Sequence, residues 1–95
     1  MQLAEFQRLI EAIYFEKDSR RGPAKSFLWF SEEVGELAEA IRKGDRQRML
    51  GEFADVLAWL FTLASMSGIR MEEAIAKYRD GCPYCHSTPC RCSEP

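Results

Sequence analysis

The sequence predicts an all-α domain, an antiparallel helical bundle carrying a small cysteine-rich knuckle at its C-terminal end. Apolar residues recur three and four apart through most of the first 78 positions, and no segment shows the two-residue alternation of a half-buried strand. All four cysteines fall in the last fourteen residues, which describes an appendage on a cysteine-free body rather than a disulfide scaffold. The helical body is therefore assigned to residues 1–79 and the tail to residues 80–95.

The first helix is expected from about Leu3 to Phe15, with Leu3, Phe6, Ile10 and Ile13 on one face. Residues 16–22 are polar and basic and are expected to form a loop, ending at Pro23, a residue suited to a helix's first turn. The second helix follows from about Ala24 to Lys43, with a stripe of Phe27, Phe30, Val34, Leu37 and Ile41. Lys43-Gly44 stops it. The third, from about Gln47 to Met66, turns Met49, Phe53, Val56, Leu57, Leu60 and Ala64 inward, and Ser67-Gly68 ends it. A short fourth helix spans about Met71 to Tyr78.

With 46% apolar residues and a net charge of −2, the chain has the composition of an ordinary soluble domain. It lacks the basic excess of a general nucleic-acid binder. No uninterrupted apolar run is long enough for a membrane span, and the first residues do not resemble a signal peptide. A cytoplasmic protein is expected, with neither nucleic acid nor membrane as partner. Aromatic residues on more than one face of the second and third helices exceed what one small chain can cover. A homodimer or homotetramer is expected, completing a four-helix arrangement at each site.

The second helix contains Glu32, Glu33 and Glu36, and the third contains Glu52 and Asp55. A lone acidic pair on a helix is ordinarily a solvated face. Here Glu33 and Glu36 share one face, as do Glu52 and Asp55, because residues three apart are neighbours on a helix. Glu33 precedes Gly44 by eleven residues and Asp55 follows it by eleven; Glu36 and Glu52 stand eight away on either side. A hairpin turning at Gly44 therefore brings these carboxylates to matching heights. Such a cluster repels itself and calls for a cation, and an all-oxygen donor set suits Mg²⁺ or Mn²⁺. Di-iron bundles add a histidine three residues after a glutamate, and the single histidine, His86, lies in the tail. Trp29 stands four residues before Glu33 and Trp59 four after Asp55, positions from which a nucleobase could be stacked.

The pattern Glu-Glu-x-x-Glu, then fifteen residues, then Glu-x-x-Asp resembles the signature of the MazG-like nucleoside triphosphate pyrophosphohydrolases. The surrounding Trp29–Ile41 and Glu52–Trp59 stretches are similar to that family too, and the likeness covers roughly residues 1–79. The resemblance implies that Glu33, Glu36, Glu52 and Asp55 hold Mg²⁺, with Glu32 as an accessory carboxylate that orients or deprotonates water. It implies hydrolysis of a (d)NTP to the monophosphate and pyrophosphate, with dUTP- and dCTP-preferring relatives in the family. Lys77 matches a basic residue that the family carries after its last helix, but Asp80 stands where an asparagine is expected. Lys25, Arg20, Arg21 and Arg79 are alternative phosphate ligands.

In the tail, Cys82 and Cys85 form a C-x₂-C pair and Cys90 and Cys92 a C-x-C pair. Four thiolates in a reducing compartment suit a structural Zn²⁺ better than disulfides, and His86 could replace one of them. Two other functions remain open at this stage: a related pyrophosphohydrolase of the phosphoribosyl-ATP type, and a non-catalytic bundle whose acidic face and knuckle bind a protein.

Overall fold

A computed structural model of the chain describes residues 1–94; Pro95, the last residue of the expected tail, lies outside the described residues. The helices are α1 (Leu3–Arg21), α2 (Pro23–Lys43), α3 (Arg46–Met66) and α4 (Met71–Ala74), the last running on into a 3₁₀ turn, Ile75–Tyr78. The described residues contain no strand.

Helix α1 is longer than its apolar pattern suggests, and the expected loop at residues 16–21 is its last two turns. Asp18 faces inward among the polar residues there, and Arg21 bridges back to it at 2.8 Å, an i,i+3 pair that closes the final turn. Gly22 alone separates α1 from α2. It accepts the end of one helix, its N–H donating to the Asp18 carbonyl, and begins the next, with Pro23 as the first residue of α2. Its φ of 82° with ψ of 165° lies in a region that essentially only glycine enters.

Helices α2 and α3 form the antiparallel hairpin, turning at Gly44 and Asp45. Asp45 caps α3 by accepting from the Arg48 N–H at 3.3 Å, and Glu39 faces Lys43 at 2.9 Å and Arg48 at 3.7 Å across the turn. Helix α1 packs mainly on α3, where Phe6 meets Phe61 edge to face at 5.1 Å between ring centroids. Buried Gln7 pins the far end: its amide donates to Ser65 Oγ at 3.0 Å and to the Ile69 carbonyl at 2.9 Å, and its oxygen accepts from the Met71 N–H at 2.8 Å. Arg70 adds an ion pair to Glu11 at 2.9 Å.

The stripes expected to point inward are largely uncovered in the single chain. Ile10, Ala40 and Phe61 are its buried apolar residues, whereas Phe27, Val34, Ile41, Phe53, Leu57 and Leu60 are exposed. The reason is geometric. Helix α1 lies along one side of a two-helix layer and leaves the other side open, and the fourth helix is too short to close it. The radius of gyration, 15.6 Å, exceeds the roughly 12 Å usual for a compact domain of this length.

Among the described residues α3 is the one helix long and apolar enough, by length and composition, to cross a membrane. Glu52 and Asp55 sit within it, and it packs against both α1 and α2.

Candidate active site

The hairpin brings three of the four expected carboxylates together. Oxygen atoms of Glu33, Glu36 and Glu52 lie within 4.8 Å of one another. Oε2 of Glu33 and Oε2 of Glu52 are shut off from solvent and meet no hydrogen-bond donor. A buried carboxylate oxygen without a donor is costly, and a carboxylate among others like it is more so. Accordingly the Glu33 carboxyl is pushed up from its ordinary 4.5 to about 7, first by burial, then by the charge of Glu36, with Glu52 and Asp55 adding to it. Asp55 stands outside the close group of three. It is exposed, and it lines a cleft of about 260 Å³ between α1 and α3. The donor set is all oxygen, and its two orphaned oxygens fit a hard divalent cation.

The cleft beside Asp55 is walled by Tyr14, Lys17, Arg21 and Trp59. Asp18, buried at its floor, accepts from Arg21 Nη1 at 2.8 Å and from Thr62 Oγ1 at 3.2 Å. The same Nη1 donates to Ser26 Oγ at 3.1 Å, and that hydroxyl donates onward to the Gly22 carbonyl at 2.8 Å. Three helices thus hold one guanidinium in place over the Trp59 ring, 4.6 Å from its centroid. Trp59 in turn stacks on Trp29, with ring centroids 6.4 Å apart and planes 13° from parallel. The tryptophans, placed by spacing on matching flanks, therefore meet as a single stacked pair. Trp29 remains half exposed.

Compared with known families, residues 21–86 match the MazG nucleotide pyrophosphohydrolase domain, a segment that includes Glu32, Glu33, Glu36, Glu52, Asp55 and both tryptophans. The chain belongs to this family. A curated relative of this MazG domain, a phosphoribosyl-ATP pyrophosphatase of Methylobacterium nodulans, is 34% identical over 83 residues, covering 79% of this chain and 78% of the relative. Lys17 and Asp18 lie ahead of the matched segment.

Of the other residues singled out in the sequence, Glu32 is exposed one position before Glu33 and outside the close carboxylate group. Lys25 is exposed in the first turn of α2 and is not among the residues of the cleft. Lys77 turns toward the tail of the MazG domain, with its ammonium 5.9 Å from the centroid of Tyr78 and 5.6 Å from that of Tyr84. Cys82, Cys85, Cys90 and Cys92 gather in a second cluster. There the Arg91 N–H holds the Cys85 thiol down at about 6, while hydrogen bonding among the sulfurs, chiefly with Cys90, pushes Cys92 up to about 11. Asp18 and Lys17 are the cleft residues that sequence reasoning missed, and Arg21, expected as an alternative phosphate ligand in a loop, lies instead in the last turn of α1. The Asp18-x-x-Arg21-Gly22-Pro23 run, an ion-pair spacing followed by a helix stop and a helix start, is the signal that could have located them.

Proposed function

We propose that this MazG domain hydrolyses a nucleoside triphosphate, ribo or deoxy, to the monophosphate and pyrophosphate with Mg²⁺ or Mn²⁺ as cofactor. The observation that carries this reading is the three-carboxylate group, with its two buried oxygens lacking any donor. Glu33, Glu36 and Glu52 would hold the cation, with Asp55 at the edge facing the cleft. When bound, the divalent ion offsets the charge of the phosphate chain and acidifies water. The chain's own residues bind and orient. Lys17 and Arg21 supply positive charge beside Asp55, where a phosphate chain meeting the carboxylates would lie. The Trp29–Trp59 pair offers an indole surface for the base. The close carboxylate group contains no cysteine or histidine, which favours direct attack by water and no covalent intermediate. Glu32, next to the group yet open to solvent, is the residue proposed to take the proton of that water.

The working form is proposed to be a homodimer or homotetramer. The chain exposes 7239 Å², whereas the area-to-mass relation gives about 5,600 Å² for a folded monomer of this mass. The excess is about twice the ~800 Å² that each partner contributes to a standard interface. Phe27, Val34, Ile41 and Phe53, on the open side of the hairpin, are the apolar surface that a second copy would cover.

A second reading is favoured by the curated relative, whose name specifies phosphoribosyl-ATP as substrate. One experiment separates the two: incubation with Mg²⁺ across the common NTPs, dNTPs and phosphoribosyl-ATP, with products resolved by ion exchange. Monophosphate plus pyrophosphate from at least one (d)NTP is the expected result. Turnover of phosphoribosyl-ATP alone would establish the second reading. Diphosphate plus orthophosphate as primary products would show cleavage at the other anhydride bond and overturn both.

A further inference from the structure

The proposed hydrolysis makes no use of the tail. Residues 79–94 contain no helix or strand, only turns, and Tyr84, their one large apolar side chain, is exposed. Nothing in so short a segment can form a hydrophobic core. Its backbone is nevertheless closely folded. The Cys82 N–H donates to the Ser87 carbonyl at 3.1 Å, and the His86 N–H donates to the Cys82 carbonyl at 2.7 Å. Gly81, at φ 95°, lies so close to the returning chain that a Cβ there would stand 2.6 Å from Thr88 Oγ1. Some interaction other than apolar burial must hold this shape.

The sulfurs indicate what that interaction is. All four Sγ atoms lie within 4.8 Å of one another. Cys82 and Cys92 are 3.8 Å apart and Cys85 and Cys90 are 3.9 Å apart. A tetrahedral zinc with Zn–S bonds of about 2.3 Å requires sulfur–sulfur edges of about 3.8 Å. A disulfide needs about 2.05 Å, and two disulfides would draw the sulfurs into separate pairs rather than around one point. Backbone groups also point at the sulfurs: the Tyr84 N–H at Cys82 (3.5 Å), the Arg91 N–H at Cys85 (3.3 Å) and the Cys92 N–H at Cys90 (3.4 Å). Such donors stabilise thiolate charge and fix the direction of each ligand. His86 is not part of the group; its backbone takes a left-handed turn at φ 58°.

We infer that Cys82, Cys85, Cys90 and Cys92 form a structural Zn²⁺ site of the four-thiolate type, which fixes the tail as a knuckle beyond the 3₁₀ turn. The site is closed, with all four tetrahedral positions taken by protein ligands and none left for substrate, so its role is to crosslink and not to catalyse. It also places Tyr84 against the Lys77 ammonium, tying the knuckle to the end of the helical body.

The test uses the full chain purified under reducing conditions. Metal analysis is expected to find about one zinc per chain, and Co²⁺ exchanged into the site should give the visible absorption and thiolate charge-transfer bands of a tetrahedral sulfur site. Cys82→Ser and Cys90→Ser should each reduce bound zinc to background, while His86→Ala should retain it in full. Four freely titrating thiols without metal, a mass showing two disulfides, iron in place of zinc, or zinc loss in His86→Ala would each overturn the assignment. The readout is metal content and spectrum, so it stands or falls separately from hydrolysis of any nucleotide.

Discussion

Replacing Glu33 by glutamine should change how metal-free stability depends on pH. In the folded chain the Glu33 carboxyl ionises at about 7, against an ordinary 4.5, because burial and then the Glu36 charge disfavour its anion. Between those two values the folded state binds a proton that the unfolded state has lost, so stability falls as pH rises. The contribution is complete below pH 4.5 and gone above about 7. At about 1.4 kcal/mol per pH unit the full displacement would amount to roughly 3 kcal/mol. Glu33 is only partly buried, and solvent screening reduces the effect to about 1–2 kcal/mol. For a domain of this size that corresponds to roughly 5 to 15 °C in Tm. Thermal melts in EDTA at pH 4.5, 6 and 8, at fixed protein concentration, should show the wild type losing this much relative to Glu33→Gln. At pH 8, Mg²⁺ should restore the wild type and act weakly on the variant, since a ligand stabilises only by its binding to the folded state. Parallel pH profiles for the two proteins would refute the view that Glu33 carries the strain of the carboxylate group.

Trp29→Ala is expected to weaken binding of a non-hydrolysable nucleotide by about 1–3 kcal/mol, measured by calorimetry, if the base stacks on the indole pair; an unchanged Kd would remove the tryptophans from the site. Phe53→Asp puts a charge on the open face of α3, and sedimentation velocity at micromolar concentration should show the assembly shifted toward smaller species. An undisturbed oligomer would place the interface elsewhere. Gln7→Leu strands Met71 N–H, Ile69 carbonyl and Ser65 hydroxyl at a buried joint and should cost about 1–3 kcal/mol in urea denaturation. No loss would mean that water replaces the amide there.

The hairpin and its acidic group were legible because both follow from local rules. A three-and-four periodicity fixes the helix faces, and equal distances from Gly44 fix the heights at which Glu36 and Glu52 meet. What was not legible depends on contacts between distant segments. Residues 16–21 are too polar to show an apolar face, so helix α1 seemed to end early; its last turns are held by Asp18, whose second partner, Thr62, is 44 positions away. The pairing of Trp29 with Trp59 likewise depends on how α2 and α3 rotate about their axes. The stripe Phe27–Ile41 was correctly found as apolar, yet periodicity cannot say whether an apolar face is covered by its own chain.

Gly22 carries a mechanical consequence. The helix before it holds Lys17 and Arg21, the helix after it holds Glu33 and Glu36, and the link between them is one residue long. In the proposed site the distance between these cations and carboxylates therefore depends on one pair of backbone torsions together with the packing of both helices on α3, and the Ser26 hydroxyl on the Gly22 carbonyl steadies the joint. Space at Gly22 is open, so the obstacle to a side chain there is torsional, not steric crowding by neighbours. An alanine at this joint would relax by swinging one arm of a lever about the other, and over the length of α2 even a few degrees would move the acidic group by the better part of an ångström. Tolerance of the joint to substitution is thus a measure of how much positional error the site can absorb.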